Sequence, residues 1–300
     1  MTRPRYPIYV ISKGRWGKEA LTARFLAKEG LPFRLVVEPQ EADQYAEQFG
    51  AARLLILPFS NLGQGSVPAR NWVKDHATET GAERHWLLDD NIRGVTRSYR
   101  GKRIRCDAGP AFVAIEDFAD RYENLALAGM NYTFFEHGSA HQPPFFFNCH
   151  VYSCFLILNR IPHRWRGRYN EDTDLCLQVL SDGWCTISTN AFLIDKTKTM
   201  SMKGGNSDEL YVGDGRLRMA RALEQAWPHV VTTGRRWGRP QHRVRGAWRG
   251  FDTPLQLKPG VDLAALPRVD EYGLTLDTVA PIKSATLKQW VRRNRPSDAG

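Results

Sequence analysis

A chain of 300 residues with 42% hydrophobic content and nine Trp can bury a substantial core and is too apolar for intrinsic disorder. Its formal charge of +10 and pI near 9.5 call for an acidic partner such as nucleic acid, a nucleotide or an anionic surface. No apolar run reaches membrane-spanning length, and Met1-Thr2-Arg3-Pro4 lacks the apolar core of a signal peptide. Five scattered Cys without a Cys-x-x-Cys pair read as reduced core thiols of a cytosolic protein.

Residues 6–11 form a compact β-branched run, a buried strand that leads into the turn Ser12-Lys13-Gly14-Arg15. Residues 18–29 read as a helix with Leu21, Phe25 and Leu26 on one face and Gly30 as its stop. Strand 33–37, helix 41–49 and strand 53–57 follow. This alternation predicts an α/β fold with a mixed, mostly parallel central sheet and helices on both faces. After a loop at 58–68 comes a helix at 69–80, then Arg84-His85-Trp86-Leu87-Leu88-Asp89-Asp90-Asn91, an apolar strand ending in two carboxylates and an amide.

Further on, residues 97–105 read as a basic hairpin or loop. Residues 115–128 read as a helix, with Phe118, Tyr122, Leu125 and Ala126 in register. Strands are expected at 132–135 and 152–158, separated by a turn-rich stretch at 138–144. A helix with an acidic first turn covers 169–180, and the last core strand covers 184–195. From Lys196 the chain turns polar and basic, with a helix at 216–227, an Arg-rich segment at 234–250 and a tail. The expected divisions are a core at 1–207, a basic helical or loop extension at 208–250, and a C-terminal extension at 251–300.

Three clusters carry chemistry. In doubly wound sheets ligands sit at the carboxyl ends of the strands, so Ser12, Lys13, Gly14 and Arg15 stand where a base and a diphosphate would be met. Arg70 and Asn71 open the helix before the acidic strand and offer a phosphate fork and an amide. Asn170-Glu171-Asp172-Thr173-Asp174 gathers three carboxylates in one helical turn. The helix dipole favours them there, and their mutual repulsion raises the pKa of any one held as a base.

In this order, with Leu87-Leu88-Asp89-Asp90-Asn91 between them, these motifs resemble a GT-A-fold nucleotide-sugar glycosyltransferase over roughly residues 6–200. More narrowly, Ile11-Ser12-Lys13-Gly14-Arg15 with Asp89-Asp90-Asn91 is similar to the TET-associated glycosyltransferases of bacteriophages, distant relatives of the base J glucosyltransferases. The resemblance implies transfer of a hexose from a UDP-sugar (UDP-glucose or UDP-N-acetylglucosamine) to hydroxymethylcytosine in phage DNA, in the host cytoplasm. It implies Mn2+ or Mg2+ at Asp89, Asp90 and Asn91, and a donor site of Ser12, Lys13, Gly14, Arg15, Arg70, Asn71, Asp89 and Asp90. Asp172 is then the general base of an inverting reaction, with Glu171 and Asp174 as alternatives. Asn91 departs from the usual final Asp and is a weaker ligand for a hard cation. His229 and His242 are candidates for a further ligand, though neither lies in a motif. Residues 196–205 are a candidate loop over the donor.

For the acceptor, Arg235, Arg236, Trp237, Arg239, Arg243 and Arg245 combine cations for phosphates with a stacking ring. Arg93, Arg97, Arg100, Lys102, Arg103 and Arg105 form a second basic stretch. A flipped base needs aromatic walls, for which Phe145, Phe146, Phe147 and Trp165 are candidates, although core packing is the commoner use of such residues. Two other readings fit the same motifs: a transferase acting on a glycan or protein, and a non-catalytic DNA-binding protein that reuses the fold.

Overall fold

In a computed structural model of the chain, the residues described are 3–99, 102–135, 143–197, 213–236 and 238–269. The N-terminal third alternates as read from the sequence: β1 Ile8–Ile11, α1 Leu21–Lys28, β2 Arg34–Val37, α2 Ala42–Phe49, β3 Leu54–Ile56, α3 Val67–Glu79 and β4 Arg84–Asp89. Then come β5 Ile92–Tyr99, β6 Lys102–Cys106, α4 Ala108–Ala119, β7 Leu125–Tyr132, β8 Phe145–Phe147, β9 Cys154–Leu158, α5 Glu171–Ser181 and β10 Cys185–Lys196. A helix, α6 Gly215–Ala226, and a hairpin of β11 Val231–Arg236 and β12 Arg239–Val244 complete the described elements.

Ten strands form one mixed sheet in the order β3-β2-β1-β4-β9-β7-β10-β5-β6, with β8 on β10. Strands β1 to β4 are mutually parallel, as is β7 with β10, while β9, β5, β6 and β8 run antiparallel to their neighbours. Side-chain alternation along β4 feeds two cores. Trp86 and Leu88 pack with Phe25, Phe112 and Ile115 of α1 and α4, whereas Leu87 packs with Val73, Leu175 and Leu177 of α3 and α5. All five Cys are free thiols. No helix among the described residues is long and apolar enough to cross a membrane.

Three expectations are corrected. The helix expected at 115–128 is α4, ending at Ala119, followed by strand β7 from Leu125. The 3–4 spacing of Phe118, Tyr122, Leu125 and Ala126 mimics a helical face. The run from Leu125 to Met130 is nevertheless buried on both sides, which suits a central strand. Gly129 there lies so close to β9 that an added Cβ would stand 2.2 Å from the Cys154 carbonyl oxygen. Second, the extension expected as helix or loop at 208–250 holds α6 and also, in its Arg-rich part, an antiparallel hairpin whose turn at Gly238 takes φ +73°.

Third, residues 251–258 are not a free tail. Asn148 Nδ2 donates to the carbonyls of Phe251 (3.1 Å) and Thr253 (3.0 Å). Asn124 donates to the Pro254 carbonyl (2.8 Å) and accepts from the Gln256 amide (2.8 Å), and Lys258 pairs with Glu83 at 2.7 Å. This strap holds Leu255 against the first core. Arg100, Trp237, residues 198–205 of the expected donor loop, and residues 270–300 of the tail lie outside the described residues.

Candidate active site

The site follows from strand register. In the parallel β1–β4 pair Ile11 stands opposite Asp89, so the next residues of both strands, Ser12 and Asp90, leave the sheet side by side. Ser12 Oγ donates to Asp90 Oδ2 (2.7 Å) and Arg15 Nη1 pairs with Asp90 Oδ1, all three side chains being buried. Tyr45 of α2 closes the turn, its hydroxyl 2.6 Å from Ser12 Oγ and 3.1 Å from the Arg15 amide. Gly14, at φ +66°, lets its amide reach Glu41 (2.8 Å), and Lys13 pairs with Glu38 at 2.9 Å.

Asp89 is held differently. Its Oδ1 accepts from Arg70 Nη2 (2.9 Å) and its Oδ2 from Lys196 Nζ (2.8 Å). Burial opposes its charge, yet Lys196 and Arg70 hold the carboxyl well below the usual carboxylate range. Lys196 arrives because β10 pairs with β5, setting it opposite Ile92, and it also donates to Ser153 Oγ. Arg70 is 3% exposed. Its guanidinium lies 4.4 Å from the Trp165 ring centroid, its Nε donates to Ser66 Oγ (3.1 Å), and its Nη1 is buried without a partner.

The acidic turn of α5 reaches the same cation. Arg70 Nη2 lies 3.5 Å from Asp172 Oδ1 and 3.8 Å from Glu171 Oε1, while Ser66 Oγ donates to Glu171 (2.9 Å). Asp172 Oδ1 is buried and accepts no hydrogen bond. Burial, with Glu171 and Asp89 nearby, pushes the Asp172 carboxyl up to about 7 against the pull of Arg70 and Lys196. A carboxyl with an unused oxygen and a pKa near neutrality is suited to accept a proton from a hydroxyl.

These groups line one cleft of about 400 Å³, together with Tyr132, Phe135, Tyr152 and Ser153. Of the residues expected at the donor site, Ser12, Lys13, Arg15, Arg70, Asp89 and Asp90 line it, and so do Asn91, expected on the metal, and Glu171 and Asp172. Gly14 shapes the turn. Asn71 does not take part: its amide is spent on the Trp165 backbone, 2.8 and 3.0 Å away, and it pins the loop under Arg70. Asp174 is likewise no base, because Arg166, Gln178 and the Trp227 indole N–H (2.7 Å) occupy its oxygens and bind α6 to α5. Arg235, Arg236, Arg239, Arg243 and Arg245 are exposed on or beside the hairpin, outside the cleft. Of the two His considered as ligands, His242 lines the cleft and His229 does not. Lys196 is the first residue of the expected donor loop, but its place on Asp89, with Tyr132 and Ser153 beside it, has no counterpart among the sequence motifs. Each arrives through pairing between distant strands, which no local motif records.

A divalent cation of this fold takes oxygen ligands, commonly one or two carboxylates plus substrate phosphates. Asp90 does not fit, since Arg15 and Ser12 already occupy both its oxygens. Both oxygens of Asp89 are likewise taken, by Arg70 and Lys196, while Asn91 has a buried Oδ1 without a partner and His242, whose pKa burial lowers, lines the same cleft. Among the described residues no three His, Cys, Asp or Glu side chains are grouped to hold a metal ion.

Carboxylates and cations thus gather beyond the carboxyl ends of β1 and β4 in a mixed α/β sheet, an arrangement in keeping with a glycosyltransferase. The family model described as TET-Associated Glycosyltransferase matches residues 6–205, and the chain belongs to that family. No curated protein matches it significantly. Among solved structures, one described as a putative nucleotide-diphospho-sugar transferase from Desulfovibrio desulfuricans G20 aligns with 11% identity and a TM-score of 0.35, covering 62% of this chain and 79% of that one.

Proposed function

We propose that the protein transfers a hexose from a UDP-sugar, UDP-glucose or UDP-N-acetylglucosamine, to the hydroxymethyl group of hydroxymethylcytosine in phage DNA, with inversion. The observation that carries this reading is the pair of unsatisfied buried atoms in one cleft, Asp172 Oδ1 and Arg70 Nη1. One is an acceptor awaiting a hydroxyl, the other a donor awaiting an anion. Asp172 takes the hydroxyl proton as the alkoxide oxygen bonds to the anomeric carbon. The bond from that carbon to the diphosphate oxygen breaks, and UDP departs with the electron pair. Arg70 and Lys196 stabilise the charge that develops on the diphosphate, and Lys13 stands at the mouth by β1. Mn2+ or Mg2+ would have to take the place of Arg70 or Lys196 on Asp89 to be held there with Asn91, and would then supply further neutralisation of the leaving group. The exposed Arg235, Arg236, Arg239, Arg243 and Arg245, with the +10 charge, favour a polyanionic acceptor over a neutral glycan.

Purified protein given a UDP-hexose and hydroxymethylated duplex DNA should release UDP and increase the mass of the modified base by one sugar. Absence of turnover with several donors, with and without Mn2+, would refute the reading.

A further inference from the structure

Tyr132 ends β7 beside the catalytic cluster, and it is the middle ring of a stack. Its ring lies 5.5 Å from Tyr152 at 23° and 5.4 Å from Phe135 at 25°. Phe134 adds an edge-on contact to Phe135 at 4.6 Å and 66°. The inner end is fixed: the Tyr132 hydroxyl is 2.7 Å from Ser153 Oγ, and Tyr152 packs on His150 at 4.0 Å. At the outer end Phe135 is 41% and Phe134 45% exposed. Tyr132, Tyr152 and Phe135 all line the cleft that holds Asp172 and Asp89.

None of the candidate walls read from sequence, Phe145, Phe146, Phe147 and Trp165, lines the cleft. Phe147 is buried, Phe145 packs on Phe118 at 5.2 Å, and Trp165 is buried beneath Arg70. Two adjacent, half-exposed Phe at the rim of a cleft that holds Asp89, Asp172 and Lys196 leave apolar surface in water without serving the core. Flat rings backed by a rigid stack offer what an extruded base loses on leaving the duplex.

We propose that Phe135, backed by Tyr132 and flanked by Phe134, is the platform on which the acceptor pyrimidine stacks once it has left the helix. This rests on the reading that the acceptor is a hydroxymethylated base. The flat face of the base would lie on Phe135 while its hydroxymethyl arm extends toward Asp172. Phe135 is thus a positioning residue for the acceptor and not for the donor.

The test compares wild type with Phe135→Leu and Phe135→Trp on duplex DNA carrying one hydroxymethylcytosine with 2-aminopurine as its neighbour. Phe135→Leu should lower kcat/KM for DNA by roughly 10- to 100-fold and abolish the 2-aminopurine fluorescence rise on binding. UDP affinity by calorimetry should stay within about twofold, and Phe135→Trp should restore both DNA readouts. Unchanged kcat/KM in Phe135→Leu overturns the proposal, as does an equal loss of UDP affinity, which would turn the ring toward the donor sugar. If wild type ignores hydroxymethylated DNA and glycosylates a glycan or protein, the functional reading itself fails, and this inference with it.

Discussion

Replacing Asp172 by Asn tests the site through two readouts that move in opposite directions. In the folded protein the carboxyl titrates near 7, raised first by burial, whereas its ordinary value is 3.8. A folded-state pKa above the unfolded one means that the bound proton stabilises the fold. That contribution is fully present below about pH 4 and is lost as pH rises through about 7. A shift of this size has a ceiling of about 4 kcal/mol between the two limits. Because the side chain keeps 18% of its exposure, about 2 kcal/mol is the expected effect after partial hydration. Asn cannot ionise, so Asp172→Asn should gain about that much over wild type at pH 8 and almost nothing at pH 4. Urea midpoints for both proteins at each pH measure the difference. The same variant loses its proton acceptor, and turnover should fall by roughly 10²- to 10⁴-fold. In wild type, kcat/KM should rise with pH through about 7. An equal stability offset at both pH values would refute the burial reasoning, and retained turnover would refute the assignment of the base.

Asp89 and Asp90 both pair with buried cations, so both substitutions should cost stability and only the first should also report on the ligand. Asp90→Ala removes the carboxylate that Arg15 and Ser12 share and should cost about 3–5 kcal/mol in urea unfolding. Asp89→Asn, which takes the charge from between Arg70 and Lys196, should cost stability and also weaken UDP affinity in the presence of Mn2+, read by calorimetry with and without the metal. Gly129→Ala drives a Cβ to within 2.2 Å of the Cys154 carbonyl and 2.4 Å of Val151 Cγ1; a loss of about 3 kcal/mol is expected, measured by the same urea midpoint. Replacing Arg239 and Arg243 by Ala should flatten the slope of log DNA affinity against log salt by about 0.9 for each phosphate that the hairpin no longer neutralises, read from titrations at several NaCl concentrations. An unchanged slope would remove the hairpin from the DNA face.

Much of the site is legible in the sequence because it is local. Asp89 and Asp90 end an apolar strand, Ser12 to Arg15 end another, and the acidic turn at Glu171 and Asp172 opens a helix. What joins them is not local. Arg70 becomes the centre of three carboxylates only because α3 lies over β4 beside α5, and Lys196 reaches Asp89 only through the β10–β5 register. Proximity in sequence also misleads. Asn71 follows Arg70 and Asp174 lies two residues past Asp172, yet helical geometry turns both toward structural partners, the Trp165 backbone and the Trp227 indole. The strand at Leu125 is hidden for a related reason: apolar residues at helical spacing look alike on a helix face and at the centre of a sheet.

The strap at 251–258 bears on the order in which this protein acquires its structure. Its side-chain hydrogen bonds join residues 103, 105, 130 and 132 positions apart, and its ion pair spans 175. Contacts that close such long loops form late, and a nascent chain cannot make them until the strap has left the ribosome. The edge of the first core that Leu255 covers therefore stays open through most of synthesis, and the emergence of the short segment after the hairpin is what seals it.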